Sequence, residues 1–256
     1  MFRLMYNIWA AFVFVVILLL IFPFAVVAAF GGRVRGGNWM YRLCIIWSDI
    51  WFTLMGIRVE KIFDAPFEDD KKYILIANHI SYLDIPVMVN VFRKPMRPLG
   101  KAEMGKVPVF GFIYNRVVVS VDRNSAAARA KSIRLLRSII NKGISVFVFP
   151  EGTFNETRQP LKQFYNGAFK LALETRTPIR PVLFLDTYNR MPYTKLFSLN
   201  PGKCRVVFLE EVPVDGFREN DHEALKQQVY ALMEQKLLAC KAAWATPENN
   251  SEKKND

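Results

Sequence analysis

"KYILIANHISYLDIPVMVNVFRK", Lys72 to Lys94, begins as a run of β-favouring apolar residues and ends as a helix-like stretch. Its middle carries His79, one of two histidines in the chain, and Asp84 five residues later. In a helix, a five-residue step at about 100° per residue turns those side chains roughly 140° apart, and in an extended chain they sit roughly 16 Å apart. Only a strand that ends and curls into a helix brings carboxylate and imidazole together, and Asn78 and Ser81 supply that transition. A capping box, with Ser81 at the N-cap and Asp84 three residues on, is the competing reading. It would put Pro86 at the fifth helical position, where its ring clashes and its missing N–H is felt. A helix that starts at Asp84 instead places Pro86 in the tolerated first turn. Asp84 is then open to capping its helix, to pairing with His79, or to both.

The same alternation runs on downstream. "VVVSVD" precedes "NSAAARAKSIRLLRSIINKG", "ISVFVFP" precedes "QFYNGAFKLALETR", and "IRPVLFLD" and "KCRVVFLEEVPV" precede a closing helix. Near-continuous Val, Ile and Phe runs suit strands buried on both sides, so the expected fold is α/β, a mostly buried central sheet flanked by helices. Asn124 or Ser125 is placed to cap one helix, and Gly143 to take the left-handed position after it. The last helix is expected to begin near Asp221 and to bury Leu225, Val229, Met233 and Leu237 at four-residue spacing.

The front of the chain differs. Residues 4–32, "LMYNIWAAFVFVVILLLIFPFAVVAAFGG", carry no charge and are long enough to span a hydrocarbon core of roughly 30 Å. That is far longer than the apolar region of a cleaved signal peptide, so the segment is expected to be retained. A second apolar segment, Trp39 to Ile57, contains Arg42 and Asp49 and suits an interface. Together they are expected to form a two-helix membrane-anchoring segment that turns at Gly31, Gly32, Gly36 and Gly37. It either dips into one leaflet or crosses once, with Arg33, Arg35 and Arg42 holding the downstream domain at the cytoplasmic face. The organisation is therefore a membrane-associated helical segment over residues 1–60, an α/β domain over 61–244 and a disordered polar tail over 245–256. The formal charge of +12 suits an anionic membrane surface. It would also suit nucleic acid, but no zinc spacing, recognition-helix pattern or aromatic RNA-binding motif accompanies it. Cys44, Cys204 and Cys240 are widely separated, which argues for a reduced compartment and against a metal site.

Ligands of α/β sheets bind outside the carboxyl ends of strands, and polar clusters fall there. Arg123 follows one apolar strand and its planar fork matches phosphate. Glu151, Gly152 and Thr153 follow another. Gly152 permits close backbone approach, while Glu151 is suited to accept from a substrate hydroxyl or to hold Arg123.

Four blocks in order, "NHISYLD", "VDR", "FPEGT" and "TPIRPV", resemble those of the glycerolipid acyltransferase family typified by bacterial 1-acylglycerol-3-phosphate acyltransferases. The resemblance covers roughly residues 74–182. It implies transfer of a fatty acyl group from an acyl carrier protein or coenzyme A thioester to the sn-2 hydroxyl of lysophosphatidic acid, giving phosphatidic acid. In that reading His79 is the general base, Asp84 orients it, and Arg123, Glu151, Gly152, Thr153 and Lys101 contact substrate. No bound cofactor or metal is implied. The implied partners are a lysophospholipid, anionic membrane lipid and acyl carrier protein, at a membrane that would be the inner one in a bacterium. Three positions depart from the family pattern: Val117 stands for a glycine, Phe154 for an arginine, and Tyr165 for a lysine. They leave open an acyltransferase for another acceptor, such as a lyso-amino-acid lipid. A non-catalytic membrane-binding protein would account for the apolar front and the charge but not for the strand-end cluster. A hydrolase would need a nucleophile elbow, and the chain has no G-x-S-x-G.

Overall fold

The structure is a computed structural model that describes residues 2–68, 70–122, 125–157, 159–242 and 244. The expected polar tail lies outside the described residues.

Helix α1 (Phe2–Ala29) and helix α2 (Gly37–Leu54) are joined by a π-helical turn, Gly32–Gly36. The two run antiparallel, since Trp51 donates its indole N–H to the Ala10 carbonyl and Trp47 donates to that of Phe14. Gly36 closes the turn because a Cβ there would collide with the Ala28 carbonyl oxygen. Among the described residues only α1 is both long and apolar enough to cross a membrane. The second apolar segment becomes a shorter helix whose Tyr41, Ile45, Ser48, Trp51 and Phe52 are buried against the rest of the chain.

Strand β1 (Ile57–Phe63) begins after one turn, so the expected division at 60/61 falls inside a strand. Next come β2 (Ile74–Ala77), α3 (Asp84–Val91), β3 (Arg97–Lys101), α4 (Phe110–Val117), β4 (Val119–Val121) and α5 (Ala126–Ile140). The chain then forms β5 (Val146–Val148), α6 (Gly167–Thr175), β6 (Ile179–Phe184), the short α7 (Thr187–Arg190), β7 (Gly202–Phe208) and α8 (His222–Ala239). Ser125 caps α5 by accepting from the Ala128 N–H, and Gly143 sits beyond that helix at φ +77°. Helix α8 buries Leu225, Val229, Met233 and Leu237.

The seven strands lie in the order β1-β7-β6-β2-β5-β3-β4, and every pairing is parallel except β6 with β7. Successive strand residues point to opposite faces, and both faces are covered. Leu75, Ala77, Phe147, Val182 and Phe184 pack under α1 to α4, while Ile74, Ile76, Val146, Val148 and Ile179 pack under α5, α6 and α8. Each Val, Leu, Ile or Phe side chain among these, fully buried, contributes about 1.5–3 kcal/mol, which favours apolar residues throughout β2. The crossovers reverse direction around β2. The chain leaves it by way of α3 for β3, returns through α5 to β5, and passes over it to β6. The carboxyl ends of β2, β5 and β6 are therefore neighbours at a switch point, where side chains from different segments can meet.

Candidate active site

The first functional side chains are placed by the residues just past Ala77, the last of β2. Asn78 continues the strand pairing with its side chain: its amide donates to the Phe184 carbonyl at 3.1 Å and accepts from the Phe184 N–H at 2.9 Å. This pins the end of β2 to β6. His79 comes next, and its backbone is held from the other side, by the segment after β5. Its N–H donates to Glu151 Oε1 at 2.9 Å, and its carbonyl accepts from the Asn155 N–H at 2.7 Å.

The chain then curls. Asp84 is the first residue of α3, with Leu83 at the N-cap, so Pro86 lies in the opening turn, where a missing N–H leaves no helical bond unmade. The Asp84 carboxylate turns back instead of capping its own helix. Its Oδ2 accepts from the Ile80 N–H at 2.7 Å and the Ser81 N–H at 2.8 Å, and lies 2.8 Å from His79 Nδ1. The side chain is wholly buried, and Oδ1 has no hydrogen-bond partner among the described residues. The contact from Ser81 N–H to Asp84 is the one a capping box would make. Imidazole and turn thus share one oxygen, and the two readings of this stretch describe a single arrangement. The Ser81 hydroxyl donates to the Met191 carbonyl and accepts from the Leu83 N–H.

An ionised carboxylate only accepts hydrogen bonds, so the proton of a neutral His79 sits on Nδ1 and Nε2 presents a lone pair. Among the described residues none bonds Nε2. Phe149 stacks on the ring at 4.0 Å and Phe154 leans on it at 4.4 Å, which leaves the side chain 16% exposed. Phe154 also meets Tyr82 and Tyr193. The sequence flagged Phe154 only as a departure from a pattern; the structure puts it against the imidazole.

Glu151 is buried, with Oε1 on the His79 N–H and Oε2 on the Lys162 N–H at 3.0 Å. Both oxygens are engaged by the backbone, so its place here is to tie the loop after β2 to the loop after β5. Burial pushes its carboxyl up to about 8, against the pull of the two N–H donors. Its folded-state value therefore lies above the ordinary one, near 4.5. The stability it contributes is fully present below about pH 4.5 and is lost as pH rises through about 8. Glu151→Gln would turn an amide NH2 toward one of two backbone donors. We expect this variant to lose the pH dependence between about pH 5 and 8 and to be less active. Thermal unfolding at both pH values, with initial rates, checks it.

Gly152 adopts φ +76° with the Tyr165 ring 2.7 Å from where a Cβ would stand, so a side chain there is barred twice over. Thr153 is exposed and accepts from Lys162 Nζ at 2.9 Å. Lys101 ends β3, two strands from β2, with its exposed ammonium 3.5 Å from Glu103. Arg123 lies outside the described residues. Asn78 was the residue the sequence could have supplied, since a buried amide just past a strand must find backbone partners.

A carboxylate-oriented imidazole at the carboxyl ends of a central parallel sheet defines a site suited to removing a proton from a bound nucleophile. The chain belongs to the acyltransferase family, whose model matches residues 58–185. It is 33% identical over 189 residues to the 1-acyl-sn-glycerol-3-phosphate acyltransferase of Salmonella typhimurium, covering 72% of this chain and 74% of that one. It is 27% identical over 247 residues to the protein of the same name from Cocos nucifera, covering 93% and 75%. In fold it is similar to the 1-acyl-sn-glycerophosphate (LPA) acyltransferase PlsC of Thermotoga maritima. The TM-score is 0.73 and the identity 24%, over 95% of this chain and 100% of that one.

Proposed function

We propose that this chain acylates the sn-2 hydroxyl of lysophosphatidic acid, taking the acyl group from an acyl carrier protein or coenzyme A thioester and releasing phosphatidic acid. The observation that carries the reading is the bond from His79 Nδ1 to the buried Asp84 carboxylate, with Nε2 left to face a substrate. Nε2 takes the hydroxyl proton while the oxygen attacks the thioester carbonyl. The C–O bond forms, the C–S bond breaks, and the proton passes from imidazolium to the departing thiolate. Asp84 orients the ring and stabilises the imidazolium. The Ser81 hydroxyl proton is committed to the Met191 carbonyl and its oxygen accepts from the Leu83 N–H, neither of them a base, which supports direct attack without an acyl-enzyme.

Membrane placement follows from α1. Its 28 residues measure about 42 Å. One end is tied by Arg3 to Asn200 and by Asn7 to Leu199, and the other by the Ala29 carbonyl to Arg116 and by Phe22 to Phe112. A helix bound to the domain at both ends lies along it. This supports a hairpin embedded in one leaflet over a crossing, with Phe12, Leu20, Phe24 and Val27 turned outward into lipid. The basic residues Arg33, Arg35 and Arg42 beside α1 support the cytoplasmic face for the domain.

Phe154, standing against His79 where the family pattern has an arginine, favours testing a second acceptor class. Protein in detergent, supplied with each donor, is assayed with lysophosphatidic acid, with the same lysolipid lacking phosphate and with a lyso-amino-acid lipid. We expect acylation of lysophosphatidic acid. Turnover of only the acceptors without phosphate would remove both this substrate and the role given to Arg123.

A further inference from the structure

The imidazole of His79 is enclosed on more sides than orientation by one carboxylate requires. Asp84 takes its Nδ1 edge, and Phe149 lies nearly parallel to it at 4.0 Å, with 17° between the planes, so one face is filled. Phe154 stands at 4.4 Å and 51°. A second ring that close cannot share the face Phe149 occupies, so Phe154 covers part of what Phe149 leaves open. A narrow approach to Nε2 remains, and the side chain is 16% exposed.

The fold holds Phe154 in this place. Residue 154 falls between two anchors to the backbone of His79 itself, since Glu151 accepts from its N–H and the Asn155 N–H donates to its carbonyl. Asn155 is buried, and its side chain closes the turn that follows, donating to the Gln159 carbonyl at 2.8 Å and accepting from the Thr157 N–H at 3.0 Å. The Phe154 ring also meets Tyr82 edge-on at 4.9 Å and Tyr193 in a stack at 5.8 Å. Tyr82 comes from the turn after β2 and Tyr193 from the segment after α7, so two further loops brace one phenylalanine against the imidazole. An apolar ring offers the reaction no charge and no proton. Its effect is on what reaches Nε2.

Two nucleophiles compete at such a base. A lipid hydroxyl yields the acylated product, whereas water wastes the donor. In that second reaction Nε2 takes a proton from water, the water oxygen bonds to the thioester carbonyl carbon, the C–S bond breaks, and the proton passes to the thiolate, leaving fatty acid and free thiol. Water is small and abundant, so the choice falls to access, and closing a site against water is what prevents such side reactions. We propose that Phe154 is a specificity-determining residue that keeps water from the imidazole, so that His79 serves an acceptor hydroxyl instead of hydrolysing the acyl thioester. This rests on the reading of His79 as the base and is independent of which lysolipid is the acceptor.

The full chain in detergent is supplied with each donor thioester, first without acceptor, to read release of fatty acid and thiol, and then with lysophosphatidic acid, to read transfer. Phe154→Ala is expected to raise the ratio of hydrolysis to transfer about tenfold or more. Phe154→Leu, which keeps an apolar plug and guards against a folding defect in the alanine variant, is expected to raise it less. The added hydrolysis is expected to vanish when His79→Ala is combined with Phe154→Ala. A merely structural role would lower both rates together, so a ratio unchanged in both Phe154 variants would overturn the proposal, as would added hydrolysis that survives the loss of His79. Transfer that survives His79→Ala alone would overturn the base, and an unchanged ratio with His79 still required would overturn only the part given to Phe154. If the wild type does not acylate lysophosphatidic acid, that acceptor falls, while the His79-dependent rise in hydrolysis, read without acceptor, still decides the role of Phe154.

Discussion

Asp84→Asn is expected to lower kcat by about 10² to 10⁴, within the range a positioned general base contributes, while the KM for the acceptor changes little. The substitution preserves volume, and its effect follows from how the two oxygens are used. One Asp84 oxygen gathers the His79 Nδ1–H and the N–H groups of Ile80 and Ser81; the other is buried with no partner. Asparagine can keep its single carbonyl oxygen on the three donors only by pointing its NH2 into the partnerless position, which costs about 1–3 kcal/mol. Turning the amide over instead sets NH2 against three donors. In either rotamer the negative charge proposed to stabilise the imidazolium is gone. Initial rates over a range of acceptor concentrations separate kcat from KM. An Asp84→Asn protein with wild-type kcat would remove Asp84 from the chemistry and leave it as a turn-holding residue.

The layered sheet and the His79 turn were legible because their causes are local. Strand β2 is apolar throughout, so it is buried on both faces, and Pro86 rules out a helix that starts much before Asp84. Ser125, Gly143 and the four apolar residues of α8 follow from capping and helical period in the same way. Strand β1 was hidden because its sequence, "IRVEKIF", joins an apolar stretch without a break, and it lies at the sheet edge, where four of its seven residues are exposed. Strand β3, "RPLGK", contains a proline and a glycine, which strands otherwise avoid. The partners of Glu151 could not be read at all. A carboxylate eleven residues from Lys162 and seventy-two from His79 in the chain touches both backbones only once β2 and β5 are side by side. Nor does the linear order reveal that Phe154 reaches the imidazole.

The most direct test is the rate of acyl transfer to lysophosphatidic acid by His79→Ala, measured beside the wild type with an unfolding curve for each. The Nε2 lone pair is the base the described site presents to a hydroxyl, and the ring is held by the Asp84 carboxylate and by Phe149 and Phe154, so alanine removes that base. The backbone bonds of residue 79 to Glu151 and Asn155 do not depend on the side chain, so the variant is expected to fold. Catalysis by this imidazole predicts a fall of about 10² to 10⁴ or more in kcat/KM with the unfolding transition little changed. A folded His79→Ala protein that transfers acyl groups within a few-fold of the wild-type rate would contradict it.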